Sequence, residues 1–277
     1  MRRLWPIPVL LFVLAALAQS PAPPPFTFVI LGDRTGEVQP GVWEQVLKEA
    51  AAERPAFFLG VGDTIQGLKD DTAASEWQQV TRLLAPYRRI PLYLAPGNHD
   101  VWSDASAELF PKYAHHPLHY GFDHANVHVT VLDNSRSDEF SKDEMAFLES
   151  DLTQHQSQPV KFVVSHRPSW LVSAALKNPL YGFQQLMKKY NVKYVVAGHV
   201  HQMLHTNFDG VTYYDVQSAG GHLRGEGKYE DGWFFGYTVV TVNGDDVSLR
   251  VKELKAPQGQ GRATALSDWG LTGLVKR

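Results

Sequence analysis

Five short segments of this 277-residue chain place Asp, Asn or His directly behind a run of apolar residues. They are Gly32-Asp33-Arg34, Gly62-Asp63-Thr64, Gly97-Asn98-His99-Asp100, Ser165-His166-Arg167-Pro168 and Gly198-His199-Val200-His201. Gathered in one place they would supply carboxylates, an amide oxygen and four imidazoles. Singly, Asp33 or Asp63 reads equally well as a helix N-cap or turn residue, and His199 and His201 as alternation at a strand end. As a set they have no use in core packing, because buried polar groups without partners cost on the order of several kcal/mol each. A metal cluster resolves that cost. Hard oxygen donors combined with imidazole suit Mn, Fe or Zn, and do not suit Cu(I) or an iron–sulfur cluster. A carboxylate can bridge two such ions about 3.5–4 Å apart, and the pair can clamp a phosphoryl oxygen and generate a hydroxide for in-line attack.

The elements that would carry these segments alternate between strand and helix. Phe26–Leu31, Ala56–Val61 and Pro91–Ala95 read as buried strands, and Val42–Glu53 and Ala73–Leu84 as amphipathic helices between them. His119–Asp123 and Val127–Asp133 are strand-like, followed by a helix over Ser141–Leu152 whose Ser141 and Glu144 have the spacing of a capping box. Lys161–Ser165 and Lys193–Ala197 are further strands around a helix at Gly182–Tyr190. Only strands follow: Met203–Phe208, Val211–Gln217, Trp233–Val242 and Val247–Leu254, with Asp209-Gly210 as a hairpin turn. The chain begins as parallel βαβ units and ends as antiparallel β, which two sheets sharing a core with helices outside would accommodate in one domain. In such a sheet the loops at the carboxyl ends of parallel strands meet in one crevice, where ligands bind. All five segments are loops of that kind.

The ordered succession of these segments resembles the calcineurin-like metallophosphoesterases. The resemblance runs from Phe26 to about Leu254, and includes Tyr120–Asp123, Val127–Asp133 and the helix ending at Phe147-Leu148. It implies a four-layer αββα sandwich of mixed α/β class, and hydrolysis of a phosphomonoester or phosphodiester through a hydroxide on two metal ions, of which Mn, Fe and Zn all suit the ligands. It implies Asp63 as the bridging carboxylate, Asp33 and His201 on the first metal, and Asn98, His166 and His199 on the second. His99 would face the leaving group as general acid or transition-state donor, and Asp100 would orient it through the other ring nitrogen.

One position departs from the family pattern. The usual first motif is Asp-x-His, whose His binds the first metal, but residue 35 is Thr35. The purple acid phosphatase branch instead uses a Tyr three residues beyond the bridging Asp, where this chain has Gln66. Gln66, Thr35 or water would then complete the first site, or that site would bind metal weakly. The departure keeps a second function open: a catalytically weak protein that retains the fold and binds metal or phosphate. Arg34 could bind substrate phosphate bidentately or point to solvent. Arg167 and Trp170 are candidates for substrate contact or packing. His222 and Arg224, in the Gly-rich loop Ser218–Lys228, are candidates near the metals. His115, His116 and His119 read as a solvated cluster or a pocket rim, and Trp43 and Phe147 as core.

Composition narrows the partners. The net charge is −3 with Lys and Arg dispersed, so there is no electrostatic footprint for nucleic acid or anionic lipid, whereas a small phosphorylated substrate could rely on bound metal for positive charge. The chain has no cysteine, so any metal must be held by N and O donors. Arg2 and Arg3, the apolar stretch Leu4–Leu17 and the small-residue box Ala16-Leu17-Ala18 have the layout of a signal peptide cleaved before Gln19, the alternative being an uncleaved membrane anchor, for which the apolar run is short. The expected organisation is a leader over 1–18, a Pro-rich linker over 19–25, the catalytic domain over 26–255 and a surface tail over 256–277 that Trp269 and Leu271 could dock. The expected destination is the periplasm or the exterior, with no stable membrane span after cleavage.

Overall fold

Phe26–Leu31 (β1) is apolar almost throughout because both of its faces are covered. Phe28 and Ile30 enter one hydrophobic core and Val29 and Leu31 a second. The computed structural model describes residues 24–179, 181–224 and 228–270. The leader over 1–18 and Leu271 lie outside the described residues.

After β1 come Val42–Ala52 (α1), Phe58–Gly60 (β2), Asp70–Leu84 (α2), Leu92–Leu94 (β3) and Asp104–Ala114 (α3). The middle holds Tyr120–His124 (β4), Val127–Val131 (β5), Lys142–Gln154 (α4), Val160–Val164 (β6), Leu171–Ala175 (α5), Gly182–Lys189 (α6) and Tyr194–Ala197 (β7). Leu204–Phe208 (β8), Val211–Asp215 (β9), Gly236–Asn243 (β10), Asp246–Glu253 (β11) and Ala263–Ala265 (β12) complete the order. The first sheet runs β12-β11-β10-β1-β2-β3, and the second β4-β5-β6-β7-β9-β8. β1, β2 and β3 are mutually parallel, as are β5, β6, β7 and β9. The later strands join antiparallel, as their connections require.

The sheets face each other across a core in which Phe28 stacks on Phe57 at 4.6 Å and meets Phe162 edge-on at 5.4 Å. Helices α1, α2 and α3 cover the outer face of the first sheet, and α4, α5 and α6 that of the second. This is the four-layer αββα arrangement. Each buried aromatic or branched side chain contributes about 1.5–3 kcal/mol, and one such layer joins the two sheets while two more seat the helices on their outer faces.

Local chemistry explains some element ends. Ser141 caps α4 by accepting from the Glu144 amide at 3.1 Å. The return half of the box is absent, since the Glu144 carboxylate accepts from the Asp133 amide and pairs with His119. Asp209 and Gly210 both adopt positive φ (54° and 83°), the requirement of a tight hairpin between β8 and β9. The expected surface tail is in part structural. Residues 263–265 add a strand to the first sheet, and Trp269 is fully buried in the inter-sheet core, its indole N–H donating to Thr264. Among the described residues no helix is long and apolar enough to cross a membrane.

Candidate metal centre

The loops that follow β1, β2 and β3 in one sheet and β6 and β7 in the other converge at one end of the sandwich. Close backbone approach explains their glycines. A Cβ on Gly97 would lie 2.1 Å from the Asp63 amide nitrogen, and one on Gly198 would lie 2.5 Å from the Asp33 carboxylate. Asp63, His199 and His201 themselves sit at positive φ (54°, 74° and 65°). Left-handed backbone at residues carrying a Cβ costs about 1–3 kcal/mol each and gathers at functional sites.

His166 is fully buried and its Nδ1 donates to the Val61 carbonyl at 3.0 Å. Its Nε2 therefore faces three further donor atoms: Asp63 Oδ1 at 3.2 Å, Asn98 Oδ1 at 3.0 Å and His199 Nδ1 at 3.2 Å. Without a cation this crowd of lone pairs must hold a proton. Burial works to lower the His166 pKa, but Asp63 and Asp33 outweigh it and push it up to about 9. His199 goes the other way, down to about 3, through burial and then the neighbouring His166 and Arg167. Burial raises Asp33; burial would also raise Asp63, but His166 and His99 hold it well below the carboxylate range.

A second group forms around Asp33, Asp63 and His201. The His201 Nδ1 contacts the His222 carbonyl at 2.7 Å, which leaves Nε2 buried, 3.8 Å from Asp33 and without any hydrogen-bond partner. One donor atom from each of Asp63, His166 and His199 lies within 4.8 Å of the others, and the same is true of Asp33, Asp63 and His201. Asp63 belongs to both groups. The buried orphan nitrogen, the facing lone pairs and the N/O donor set fit two metal ions sharing Asp63.

Several expected roles change. Asp100 does not touch the His99 ring: its carboxylate accepts from the amides of Thr64, Ile65 and Gly97 at 2.8, 3.1 and 3.0 Å. The two loops leave those N–H groups unpaired, and a buried carboxylate is what satisfies them. Asp100 is a strap between the Asp63 loop and the Asn98 loop, its pKa pushed up to about 7 by burial and then by Asp63. The partner of His99 is the Gln66 carbonyl, 2.5 Å from Nδ1, while the His99 amide donates to Asp63 Oδ1 at 2.9 Å.

Arg34 neither reaches the cluster nor points to solvent. It is buried, lies 5.4 Å over the Trp43 ring and donates to the Thr64 carbonyl. Thr35 and Gln66 bond to each other at 2.5 Å, from the Thr35 hydroxyl to the Gln66 amide oxygen. The His222 side chain is exposed, and its backbone carbonyl is what orients His201. Trp170 is fully buried against Tyr213. Arg167 stands at the rim, with Nη1 bonded to Asp138 at 2.8 Å and 3.4 Å from His199 Nε2.

Sequence reasoning overlooked Asn134. Its Oδ1 accepts from the amides of His166 and Arg167, and its Nδ2 donates to the Arg167 carbonyl and Ser169. It lies just past β5, so the strand-end signal that marked the other loops applies to it too. Asp215 was overlooked as well. Its carboxyl is fully buried with neither oxygen partnered, and burial followed by Asp33 raises its pKa well above the usual value. A carboxylic acid kept protonated in the fold, but free to ionise when unfolded, loses stability as pH rises from about 4 towards its folded pKa. In metal-free protein Asp215→Asn should therefore raise Tm at pH 7, with the gain vanishing near pH 4. Thermal melts at both pH values check this; an Asn variant less stable at pH 7 would refute it.

The sequence profile described as calcineurin-like phosphoesterase matches residues 26–203. The chain belongs to that family, and its two-sheet fold matches that of the family. No curated protein matches by sequence. Among solved structures, the purple acid phosphatase PPD1 from yellow lupin is 18% identical with a TM-score of 0.65, over 87% of this chain and 53% of that one. This chain thus spans about half the length of the lupin phosphatase. A dimetal phosphatase from Danio rerio is 14% identical with a TM-score of 0.59, over 87% and 98%. GAP50, described as the anchor in the inner membrane complex of Plasmodium, is 15% identical with a TM-score of 0.60, over 92% and 90%.

Proposed function

We propose that the protein is an exported phosphoesterase that hydrolyses a small phosphomonoester or phosphodiester with two metal ions held by Asp33, Asp63, Asn98, His166, His199 and His201. The observation that carries this reading is Asp63, shared by two buried donor groups that lie side by side. A bound metal pair supplies Lewis acidity toward a phosphoryl oxygen and lowers the pKa of water. The chain does the rest. Val61, His222 and Asn134 fix the orientation of the imidazoles and their loops. His99, held through Nδ1 on the Gln66 carbonyl, keeps Nε2 for the leaving oxygen. Arg167, steadied by Asp138, offers a guanidinium to a phosphate oxygen at the rim.

The decisive experiment is a panel of phosphomonoesters and phosphodiesters on protein reconstituted separately with Mn, Fe and Zn. Turnover with at least one metal supports the reading. Stoichiometric binding of metal and phosphate without turnover would favour the binding-protein reading, which Thr35 in place of the family His supports, since a fold does not by itself specify activity. Arg167→Ala should raise KM roughly tenfold with little change in kcat, the scale of a charge-assisted hydrogen bond; an unchanged KM would remove Arg167 from substrate binding. Export rests on the leader-like residues 1–18, and the mature chain should begin at Gln19. Intact-mass measurement on protein from the extracytoplasmic fraction checks this, and a mature form retaining Met1 would contradict it.

A further inference from the structure

A second cavity, of about 850 Å3, opens between the C-terminal ends of α2 and α3 and the start of β3. None of its lining residues belongs to the five metal-site loops. Its walls are apolar and aromatic: Trp77, Val80, Leu84, Tyr87, Ile90 and Tyr113. Trp77 and Tyr113 stack with their rings 8° from parallel, which makes one wall flat and rigid. Its mouth is basic. Arg82, Arg88 and Lys112 line it and are exposed, His115 and His116 stand beside them, and no Asp or Glu lines it. Among the described residues Arg82, Arg88 and Lys112 make no ion pair, so their charge is free to meet an anion.

A ligand carrying an anionic oxygen on an apolar body would satisfy the mouth and the walls together. The volume lies within the range of about 300–1,000 Å3 typical of small-molecule sites.

We propose that this cavity binds a single long-chain carboxylate, with the alkyl chain between α2, α3 and β3 and the carboxylate among Arg82, Arg88 and Lys112. The site is separate from the metal centre, and the inference stands whether or not the protein hydrolyses phosphate esters.

Titration calorimetry on the intact protein tests it with three soluble probes: laurate, dodecyltrimethylammonium and hexanoate. Laurate should bind at one equivalent. Hexanoate, six methylenes shorter, should bind at least roughly a hundredfold more weakly, because chain burial provides most of the affinity. Dodecyltrimethylammonium, with the same chain and the opposite charge, should bind about tenfold more weakly than laurate. The double variant Arg88→Glu, Lys112→Glu alters only exposed positions and should reverse that preference. Thr81→Trp, which adds bulk at a lining position, should abolish binding of both amphiphiles, while circular dichroism shows both variants folded. Equal affinity for the two charged amphiphiles, an unchanged preference in the double variant, or no saturable laurate binding would each overturn the proposal. So would sedimentation showing that the cavity is covered by a second copy of the chain, or binding to anionic vesicles without binding of monomeric laurate.

Discussion

Asp63→Asn should abolish stoichiometric metal binding and reduce hydrolysis by roughly a thousandfold or more. Asp63 is the one residue common to both donor groups, so its replacement withdraws an anionic oxygen from two ions at once. The amide keeps the shape and one carbonyl oxygen but removes the charge that offsets the cations. A metal pair supplies several kcal/mol of transition-state stabilisation, and each 1.36 kcal/mol is tenfold in rate. The fold should persist, because the backbone N–H groups around the loop are taken by Asp100 and not by Asp63, apart from the His99 amide. Metal analysis and kcat/KM on the same preparation provide the check, with circular dichroism to confirm folding. Two full equivalents of metal with activity retained would defeat the bridging assignment. By contrast, replacing His201 or Asn98 touches one donor group each and should leave one ion largely in place.

The candidate site was readable in the sequence wherever a ligand-type side chain follows the end of an apolar run. Asp33, Asp63, Asn98, His166, His199 and His201 share that signal because parallel strands deliver their loops to one edge, and all but His166 lie in segments that open on a glycine. The glycines exist for close approach: Gly97 abuts the Asp63 amide and Gly198 abuts the Asp33 carboxylate. What pattern cannot show is which way a side chain turns once the loops pack. Asp100 follows His99 in sequence, yet it turns inward to three amides while the His99 ring turns to the Gln66 carbonyl. His222 looked like a ligand and contributes its backbone. Arg34 lies next to Asp33, yet successive residues leave the chain on different sides, and its guanidinium ends beneath Trp43.

The fold was legible to the same degree. Continuous apolar runs marked the strands that are buried on both faces, and β5 shows the limit of that signal. Val127, Val129 and Val131 face the inter-sheet core, whereas His128 and Thr130 are buried beneath α4, bonded to Asp151. Helix α3 escaped notice because Pro111 interrupts its pattern; the helix runs through the proline and ends one turn later, and Ser103 caps its start. The segment from 256 onward looked like a tail because Gly, Gln and small residues dilute it, whereas the buried Leu266 and Trp269 anchor it to the inter-sheet core. Burial of one indole is a tertiary fact that local composition does not contain.

His99→Asn should leave metal content nearly intact and slow turnover by about 10²–10⁴-fold for an alkyl ester, the usual worth of general acid catalysis. The geometry separates His99 from the donor groups. Its Nδ1 is engaged by the Gln66 carbonyl, and no atom of its ring enters either group within 4.8 Å. Its amide, which supports Asp63 at 2.9 Å, survives the substitution. Occupancy and rate should therefore part company: two equivalents of metal, and a much lower kcat. The loss should shrink for a nitrophenyl ester, whose leaving group departs without needing a proton. An alkyl oxygen does need one, and with Nδ1 committed to the carbonyl only Nε2 can deliver it. Gln66 acts here through its backbone, so Gln66→Ala should preserve the ring's orientation and most of the rate, which distinguishes a positioned acid from a general disturbance of the loop. Metal stoichiometry together with kcat on both esters decides the matter. Equal losses on the two esters would exclude the general-acid role, and loss of metal would make His99 a ligand.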